Sequence, residues 1–440
     1  MILNLNKYTN MSHLGRIYIL NFLFFTALAG YAQRPSPGAP QQRTICIRNA
    51  TIHTGTGTVI ENGNIVFENG TILSLGKEAY NGDAEFIDAT GKHVYPGFIL
   101  PNTVLGLTEI DAVKATRDFN ETGELNPEVR ALVAYNTDSR IIPTVRFNGV
   151  LLCQPVLRGG MIPGTSSVMQ LDAWNWEDAA VKADDGVHMQ WPAVMVRGGW
   201  WAEQEAADRN KKLEENLQKL KDFFRRAAVY DTLSPEKDFK LHALRGVFSG
   251  EQRLYVQVQG AWEARQAVLF FTSLGVKKLV LKAGGNIYEA ADLLKEHHVP
   301  VILRRTHILP DVPDDPVDAP YSLPYRMYKA GVLFCLDYSG DMEAMGCRNL
   351  PFLAGTAAAY GVPQEEALKL ITLNTAKILG IDARYGSLEP GKSATLFISE
   401  GDALDMKSNK LSHAFIDGRA LQLDDHQAGL NRMYLQKYGK

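Results

Sequence analysis

Histidine is scarce in this chain and is not arranged for metal binding. The 440 residues include ten histidines, and none of them forms a His-x-His or a His-Glu-x-x-His pattern. Both patterns put two imidazoles on one face of a strand or helix, which is how proteins commonly hold catalytic zinc. Their absence excludes these local zinc motifs from the sequence.

Cysteine is also rare. The chain has four cysteines, Cys46, Cys153, Cys335 and Cys347, and their spacing matches no small disulfide scaffold and no zinc motif. Cys153 and Cys335 lie in apolar, strand-like runs, so we expect buried thiols there. A disulfide between Cys335 and Cys347 remains an open alternative.

The sequence has no strong excess of charge of either sign. The formal net charge is -3 at pH 7, and no long basic run occurs outside one predicted helix. We therefore expect neither nucleic acid nor an anionic membrane surface as a partner. Small molecules and other proteins remain possible partners.

An apolar run near the start of the chain, residues 17–29, is too short for a comfortable membrane span. Lys7 and Arg16 precede it, and Gly30-Tyr31-Ala32 follows with small residues at the cleavage positions. We expect residues 1–32 to be a signal peptide and the mature protein to be secreted or periplasmic, without membrane attachment. An uncleaved signal anchor is the alternative.

Short strands are predicted at both ends of the mature chain. A linker at 33–43 precedes a first set at 44–95, and a second set follows at 391–425, before a tail at 426–440. Asn69-Gly70 and Asp417-Gly418 lie between alternating runs, which predicts tight hairpin turns. We expect the two sets to form one small β-sandwich.

Between these sets, residues 96–390 alternate between apolar strands and helices, which predicts a parallel sheet. This many units favours an α/β fold with a (β/α)8 TIM-type barrel inserted in the sandwich. The clearest predicted strands are 149–153, 193–196, 254–258, 278–281, 299–303 and 332–336. The clearest predicted helices are 202–228, 262–274, 288–296 and 364–379.

Five segments make a more specific resemblance. They are Tyr-Pro-Gly-Phe-Ile at 95–99, the glycine-rich run at 158–166, Arg-Asn-Leu-Pro-Phe-Leu-Ala-Gly-Thr-Ala at 348–357, and the runs at 373–380 and 386–392. With the order of strands and barrel, they resemble the imidazolonepropionase-like branch of the amidohydrolase superfamily over residues 44–425. The resemblance implies hydrolysis of a C–N bond in a cyclic amide or similar small molecule, with zinc or another divalent metal activating water.

The metal ligands that the resemblance implies are missing. Where the family has Asp and then His-x-His after the first motif, this chain has Leu100, Asn102 and Val104. On the fifth strand, Gln257 or Gln259 takes the place of a histidine. Amide oxygens are weak zinc ligands, so we predict no metal and no other cofactor.

On the sixth strand the family's His-Gly reads Ala283-Gly284, preceded by Lys282. Asp337 follows the last strand and is the candidate for the family's catalytic aspartate, although a small shift would substitute Ser339 or Asp341. Lys282 is expected either to replace the metal's charge and pair with Asp337, or to be an ordinary surface lysine. A buried pair predicts that Lys282→Met destabilises the barrel markedly.

We expect a metal-free polar pocket at the barrel mouth. Its predicted ligand-binding residues are Asn102, Gln257, Gln259, Lys282 and His307. A cluster of tryptophans is expected to line a pocket or a subunit interface, with core packing as the alternative. Its members are Trp174, Trp176, Trp191, Trp200 and Trp201.

Three functions fit this reading. The first is a degenerate, metal-free family member that acts as a binding or partner subunit, as a homodimer or paired with a related chain. The second is an active C–N hydrolase with rearranged ligands, and the third is a periplasmic small-molecule binder. The rearranged ligands would come from Asp337, Asp341, Glu343, His307 and Glu109. Fold alone does not decide among the three.

Overall fold

A computed structural model describes residues 37–196, 208–231, 237–311 and 314–439 of the chain. The predicted signal peptide and the pair Trp200-Trp201 lie outside these residues. The strands are β1 Ile45–His53, β2 Val59–Glu68, β3 Thr71–Gly76, β4 Glu85–Asp88, β5 His93–Pro96, β6 Phe98–Thr103, β7 Val150–Pro155, β8 Gly164–Gln170, β9 Ala180–Gln190, β10 Met195–Val196, β11 Asp208–Arg209, β12 Arg253–Gln257, β13 Leu279–Ala283, β14 Val301–Leu303, β15 Phe334–Leu336, β16 Leu396–Ser399, β17 Leu411–Ile416 and β18 Arg419–Ala420.

Most of the α-helices lie in the part of the chain that forms the barrel. The α-helices are α1 Ala131–Ala134, α2 Ile141–Arg146, α3 Trp176–Ala179, α4 Leu213–Ala228, α5 Phe239–Ala243, α6 Arg245–Ser249, α7 Ala261–Ser273, α8 Ala291–Glu296, α9 Ala319–Ala330, α10 Glu343–Gly346, α11 Leu350–Ala359, α12 Gln364–Lys369, α13 Leu373–Leu379 and α14 His426–Tyr438. Short 3-10 helices lie at Lys114–Thr116, Ile287–Ala290 and Cys347–Asn349. None of the described helices is long and apolar enough to cross a bilayer.

Strands from the two chain ends form a single sheet. Its order is β18-β17-β16-β5-β1-β2-β3, with β4 added beside β1. The ring of Phe67 on β2 meets the ring of Phe415 on β17 edge-on, with centroids 5.1 Å apart. Burying such aromatic pairs joins the two ends of the chain across one core.

Both predicted hairpin turns are present. Asn69 and Gly70 have φ of 49° and 76°, and Asp417 and Gly418 have φ of 47° and 72°. Two successive positive φ values define the type I′ turn, which asparagine, aspartate and glycine adopt most readily.

The barrel sheet has eight strands in the order β15-β14-β13-β12-β9-β8-β7-β6. Its pairs are parallel except where β8 runs antiparallel to both neighbours. The gap between β6 and β15 is bridged by another segment, because Ile99 donates its N–H to the carbonyl of Ile371 and Leu336 donates to Leu370. The predicted fold class, an α/β barrel inserted in a small β-sandwich formed by both chain ends, is confirmed, and the strands of the chain ends belong to one separate sheet.

Two barrel strands, β8 and β9, were not predicted from the sequence. The glycine-rich run at 158–166 was read as a loop, but β8 begins at Gly164 and is buried although its sequence is polar. Its polar groups are satisfied internally: Thr165 Oγ1 donates to the carbonyl of Pro127 at 2.8 Å, and Ser167 Oγ accepts from Asp184 N–H at 2.8 Å. Hydrophobic periodicity does not detect such a strand.

Other boundaries also differ from prediction. The predicted barrel strand at 193–196 is instead β10, which pairs with β11 outside the barrel. The predicted helix at 202–228 has its described helical part only from Leu213, and the helix at 364–379 is two helices, α12 and α13. All four cysteines are buried and free, so Cys335 and Cys347 form no disulfide.

The described tryptophans do not form one cluster. Trp191 is buried against Phe270 and Phe271, whereas Trp174 is 61% exposed. None of Trp174, Trp176 and Trp191 lines the cavity at the barrel mouth. Trp176 begins α3 and Trp191 directly follows β9, so tryptophans that are close in sequence lie on different elements.

Candidate functional site at the barrel mouth

A cavity of about 610 Å³ opens where several barrel strands end. Asn102 near the end of β6, Gln257 at the end of β12 and Lys282 on β13 all line it, as predicted. Gln257 and Lys282 are register partners on neighbouring parallel strands, which brings their side chains to the same edge of the sheet. The family resemblance had singled out these three positions.

Two predicted residues lie elsewhere. His307 does not line the cavity; its Nε2 is 2.7 Å from Thr356 Oγ1 on α11, and its ring packs edge-on against Tyr321. Gln259 is exposed beyond the end of β12, where its backbone N–H is held by Glu263. Both residues follow strands that end at the mouth, but the chain turns outward there onto helices.

Asn102 is the centre of the hydrogen-bond network at the floor of the cavity. Its Nδ2 donates to Asp337 Oδ2 at 2.7 Å, and its Oδ1 accepts from Arg158 Nη1 at 3.1 Å and from Lys282 Nζ at 3.4 Å. Its backbone N–H donates to Gln154 Oε1 at 3.1 Å. Asn102 has φ of 51°, and strained backbone of this kind is common at functional sites.

Asp337, the predicted counterpart of the family's aspartate, is buried and saturated with donors. Besides Asn102, it accepts from the N–H groups of Arg305 and Ser339 and from Ser339 Oγ, each at 3.0 Å. Burial raises the pKa of Asp337, and these hydrogen bonds oppose the rise. The carboxylate is a structural anchor beneath the cavity and is not among its lining residues.

Lys282 does not pair directly with Asp337, contrary to the sequence-based hypothesis. Among the described residues no carboxylate forms an ion pair with it, and Asn102 lies between the two charged groups. The other neighbour of Lys282 Nζ is His188 Nδ1 at 3.2 Å. Burial first, and then the cation of Arg158, lowers the pKa of Lys282 from 10.5 to about 7.

A buried chain of polar groups extends from Lys282 into the barrel. His188 Nε2 is 2.9 Å from Ser166 Oγ, and Ser166 Oγ is 2.7 Å from Asp185 Oδ1. The ring of His188 stacks on that of Tyr255 at 4.4 Å, which fixes its orientation. Sequence reasoning missed this network because β8 and β9, which carry three of its members, were not recognised as strands.

Arg158 and Glu343 form the charged wall of the cavity. Arg158 Nη2 donates to Glu343 Oε1 at 2.9 Å, and Glu343 also accepts the N–H groups of Val104 and Gly340 at 2.9 Å each. Glu343 is buried while Arg158 is partly exposed to the cavity. Arg158 belongs to the glycine-rich segment that carried part of the family resemblance, and this was the one sequence signal pointing to it.

Comparisons with known proteins agree with this architecture. The sequence model of the amidohydrolase family matches residues 326–421. A solved amidohydrolase from Thermotoga maritima MSB8 superposes with a TM-score of 0.74 at 25% identity, covering 86% of this chain and 99% of that one. The chain belongs to the amidohydrolase superfamily. Within that superfamily, its sequence resembles the imidazolonepropionase-like branch.

Two further similarities are more limited. An imidazolonepropionase from Flavobacterium psychrophilum is 30% identical over 114 residues, which are 24% of this chain and 27% of that relative. The matched part is thus about a quarter of the relative's length. A solved adenosine deaminase from Xanthomonas campestris, with bound zinc, shares the fold with a TM-score of 0.51 at 13% identity, covering 92% of this chain and 98% of that one.

The metal that the amidohydrolase superfamily implies does not fit the residues of this member. Among residues 37–196, 208–231, 237–311 and 314–439, no group of three or more His, Cys, Asp or Glu side chains is arranged to hold a metal ion. At the expected positions the floor carries the amide of Asn102 and the amino group of Lys282, which donates to it. Amides and a cationic amine are poor replacements for imidazole ligands.

The positive φ of Asn102 predicts an unusual order of stability in this amidohydrolase. Asn102→Ala and Asn102→Gly lose the same amide contacts, but only alanine must hold a left-handed backbone. We expect the alanine variant to be less stable than the glycine variant by about 1 kcal/mol in urea unfolding. At Thr103, whose φ is not positive, the same pair should show the opposite order. Equal stability of the two Asn102 variants would contradict the strained backbone.

Proposed function

We propose that this protein is an exported, degenerate member of the superfamily that binds a small molecule at its barrel mouth without a metal, as a binding or partner subunit. The observation that carries the proposal is the amino group of Lys282, bonded to Asn102 and His188 at the floor of the cavity. Where its relatives would coordinate an ion, this chain has a buried hydrogen-bonded network. Export rests on the sequence of residues 1–32 alone.

The character of the cavity supports small-molecule binding. Its walls include the apolar side chains of Val104, Leu157 and Met189, and its floor holds the polar groups of Asn102 and Lys282. Mostly apolar clefts of several hundred cubic ångströms with a few fixed polar groups are typical ligand sites. The polar groups here are held by neighbours before any ligand arrives, which reduces the entropic cost of binding.

Hydrolysis with rearranged metal ligands is less well supported. Asp337 and Glu343 each accept several hydrogen bonds, and Glu343 is neutralised by Arg158. His307 bonds to a helix outside the cavity, and Glu109 accepts from Asn136 and from the N–H of Arg140. Among the residues that the structure describes, these groups form no cluster of three or more that could hold a metal ion. A metal site built from them would require several of these bonds to break.

Metal content tests the proposal directly. We expect the purified mature protein, dialysed against zinc and then against buffer, to retain far less than one equivalent of transition metal by inductively coupled plasma mass spectrometry. We also expect the same Tm with and without a chelator, since no folding free energy comes from a metal. A zinc hydrolase treated in parallel is the positive control. One tightly held metal per chain would refute the proposed function.

A further inference from the structure

The amino group of Lys282 has a setting that surface lysines lack. Lys282 is 6% exposed, lines the cavity, and has its Nζ bonded only to uncharged groups, Asn102 Oδ1 and His188 Nδ1, among the described residues. The geometry points to Lys282 as an amine nucleophile that condenses with the carbonyl group of a small oxo acid to form a Schiff base. This inference rests on the proposed binding function and names its ligand class.

A shared acceptor favours the neutral form of this amine. Arg158 Nη1 and Lys282 Nζ both donate to the same oxygen, Asn102 Oδ1, at 3.1 Å and 3.4 Å. Two cations on one amide oxygen repel each other, and a guanidinium does not lose its proton in proteins. Lys282 is therefore the group that gives up its charge. The carboxylate that could neutralise it, Asp337, is engaged by Asn102 instead.

His188 fixes the position of the Lys282 amino group. His188 is held between Ser166 on one ring nitrogen and Lys282 on the other, and its ring stacks on Tyr255. Burial, with the cations of Lys282 and Arg158, lowers the pKa of His188 well below its usual value, so the imidazole is neutral. A neutral ring in this place does not form an ion pair with Lys282, and it keeps Nζ at the edge of the cavity.

A large fraction of the Lys282 side chains therefore carries an uncharged amino group at neutral pH. With a pKa of about 7, about half of Lys282 is uncharged at pH 7, against roughly one in three thousand for an ordinary lysine. Desolvation and a neighbouring cation are the two devices that activate lysine in Schiff-base enzymes. Both are present here, since Lys282 is buried and Arg158 shares its acceptor.

The chemistry needs no co-reactant. The lone pair of Nζ forms a bond to the carbonyl carbon, and the carbonyl π electrons move to oxygen, which takes up a proton to give a carbinolamine. Nζ loses a proton, and the hydroxyl leaves with another proton as water to give a protonated imine. Nζ then releases its second proton. The sum is amine plus carbonyl to imine plus water, with no change in oxidation state. The protons are exchanged with water, to which the cavity opens.

The lining also favours a carbonyl compound that carries a carboxylate. Arg117 lines the cavity and is exposed, and no carboxylate of the described residues forms an ion pair with it. Arg158, by contrast, is paired with Glu343. A free guanidinium can form a bidentate pair with a carboxylate of the ligand, while Leu157 and Met189 cover its carbon chain.

Reductive trapping tests the inference in the wild-type protein. Pyruvate and sodium cyanoborohydride are added at neutral pH, and the modified residues are mapped by peptide mass spectrometry. We expect one main adduct, at Lys282, formed about tenfold or more faster than at any exposed lysine. Lys282→Arg should abolish the fast adduct, and Lys278→Arg, which removes an exposed lysine near the start of the same strand, should leave it unchanged. Labelling spread over surface lysines with Lys282 unmodified would overturn the inference.

Acetone, a ketone without a carboxylate, separates the role of Arg117 from that of Lys282. We expect Arg117→Gln to slow labelling by pyruvate severalfold and to leave labelling by acetone unchanged; an equal effect on both would refute the pairing of Arg117 with a carboxylate. The metal content of the same sample keeps the two proposals apart. A metal-free protein whose Lys282 is not labelled loses the Schiff base but retains the proposed binding function, whereas a stoichiometric metal refutes the binding proposal itself.

Discussion

Replacing Asp172 by alanine is expected to lower the free energy of unfolding by about 3–5 kcal/mol. Asp172 is buried and is held by two arginines: Arg146 Nη1 lies 2.5 Å from Oδ1, and Arg419 Nη1 lies 3.0 Å from Oδ2. Gly38 also donates its N–H to Oδ2 at 2.8 Å. Removing the carboxylate leaves the buried guanidinium of Arg146 without a counter-charge. It also removes one of the bonds by which Arg419 on β18 contacts the barrel, while those to Gln170 Oε1 and the Asp172 carbonyl remain.

Urea unfolding followed by circular dichroism measures this effect. Asp424→Ala is the matched control, because Asp424 pairs with Arg432 at 2.8 Å on the surface. Ion pairs exposed to water contribute little, so the control should unfold like the wild type. If Asp172→Ala were as stable as the control, the Arg146–Asp172–Arg419 cluster would not hold the terminal sheet to the barrel.

Lys282→Met is expected to become more stable relative to the wild type as the pH falls. The folded pKa of Lys282 is about 7, below its ordinary value of 10.5. Between these two values the unfolded chain binds a proton that the folded chain does not, so wild-type stability rises with pH across this window. From about pH 9 to about pH 6, the wild type should lose roughly 2.5 kcal/mol relative to the variant.

Parallel urea titrations at several pH values test this linkage. Other titrating groups change in both proteins, so the difference between the two curves isolates Lys282. Lys278→Met, at an exposed position, should show no such dependence on pH. A difference between wild type and Lys282→Met that is constant with pH would mean that Lys282 keeps its ordinary pKa. This expectation replaces the marked destabilisation that a buried pair of Lys282 with Asp337 predicted.

Local sequence was sufficient for the features that depend on nearby residues. Asn69-Gly70 and Asp417-Gly418 specify their turns because those residue types tolerate positive φ. Apolar runs between helical segments identified most strands of the barrel, and the family resemblance singled out Asn102, Gln257 and Lys282, which line one mouth. Parallel strands end at a common edge, so residue order along the chain translates directly into position.

The contacts among those residues were decided only by the tertiary structure. The sequence suggested that Lys282 would meet Asp337. Instead, the side chain of Asn102, whose φ is 51°, lies between them. His188 reaches Lys282 from a strand that lies 94 positions earlier in the chain. Such contacts depend on strand register and on a local reversal of backbone conformation, and neither leaves a periodic signal in the sequence.

The polar strand β8 is a second feature that the sequence alone did not predict, and the reason is the cost of burying polar groups. By itself, Gly164-Thr165-Ser166-Ser167 resembles a loop, because burying hydroxyl groups without partners is unfavourable. In the folded protein, Ser166 is bonded to Asp185 and His188, and its burial becomes acceptable. The sequence alone indicated the superfamily, the barrel and the absence of histidine at the expected positions. The tertiary structure decided which contacts the residues at those positions make, because partners distant in sequence satisfy the polar groups at the floor of the cavity.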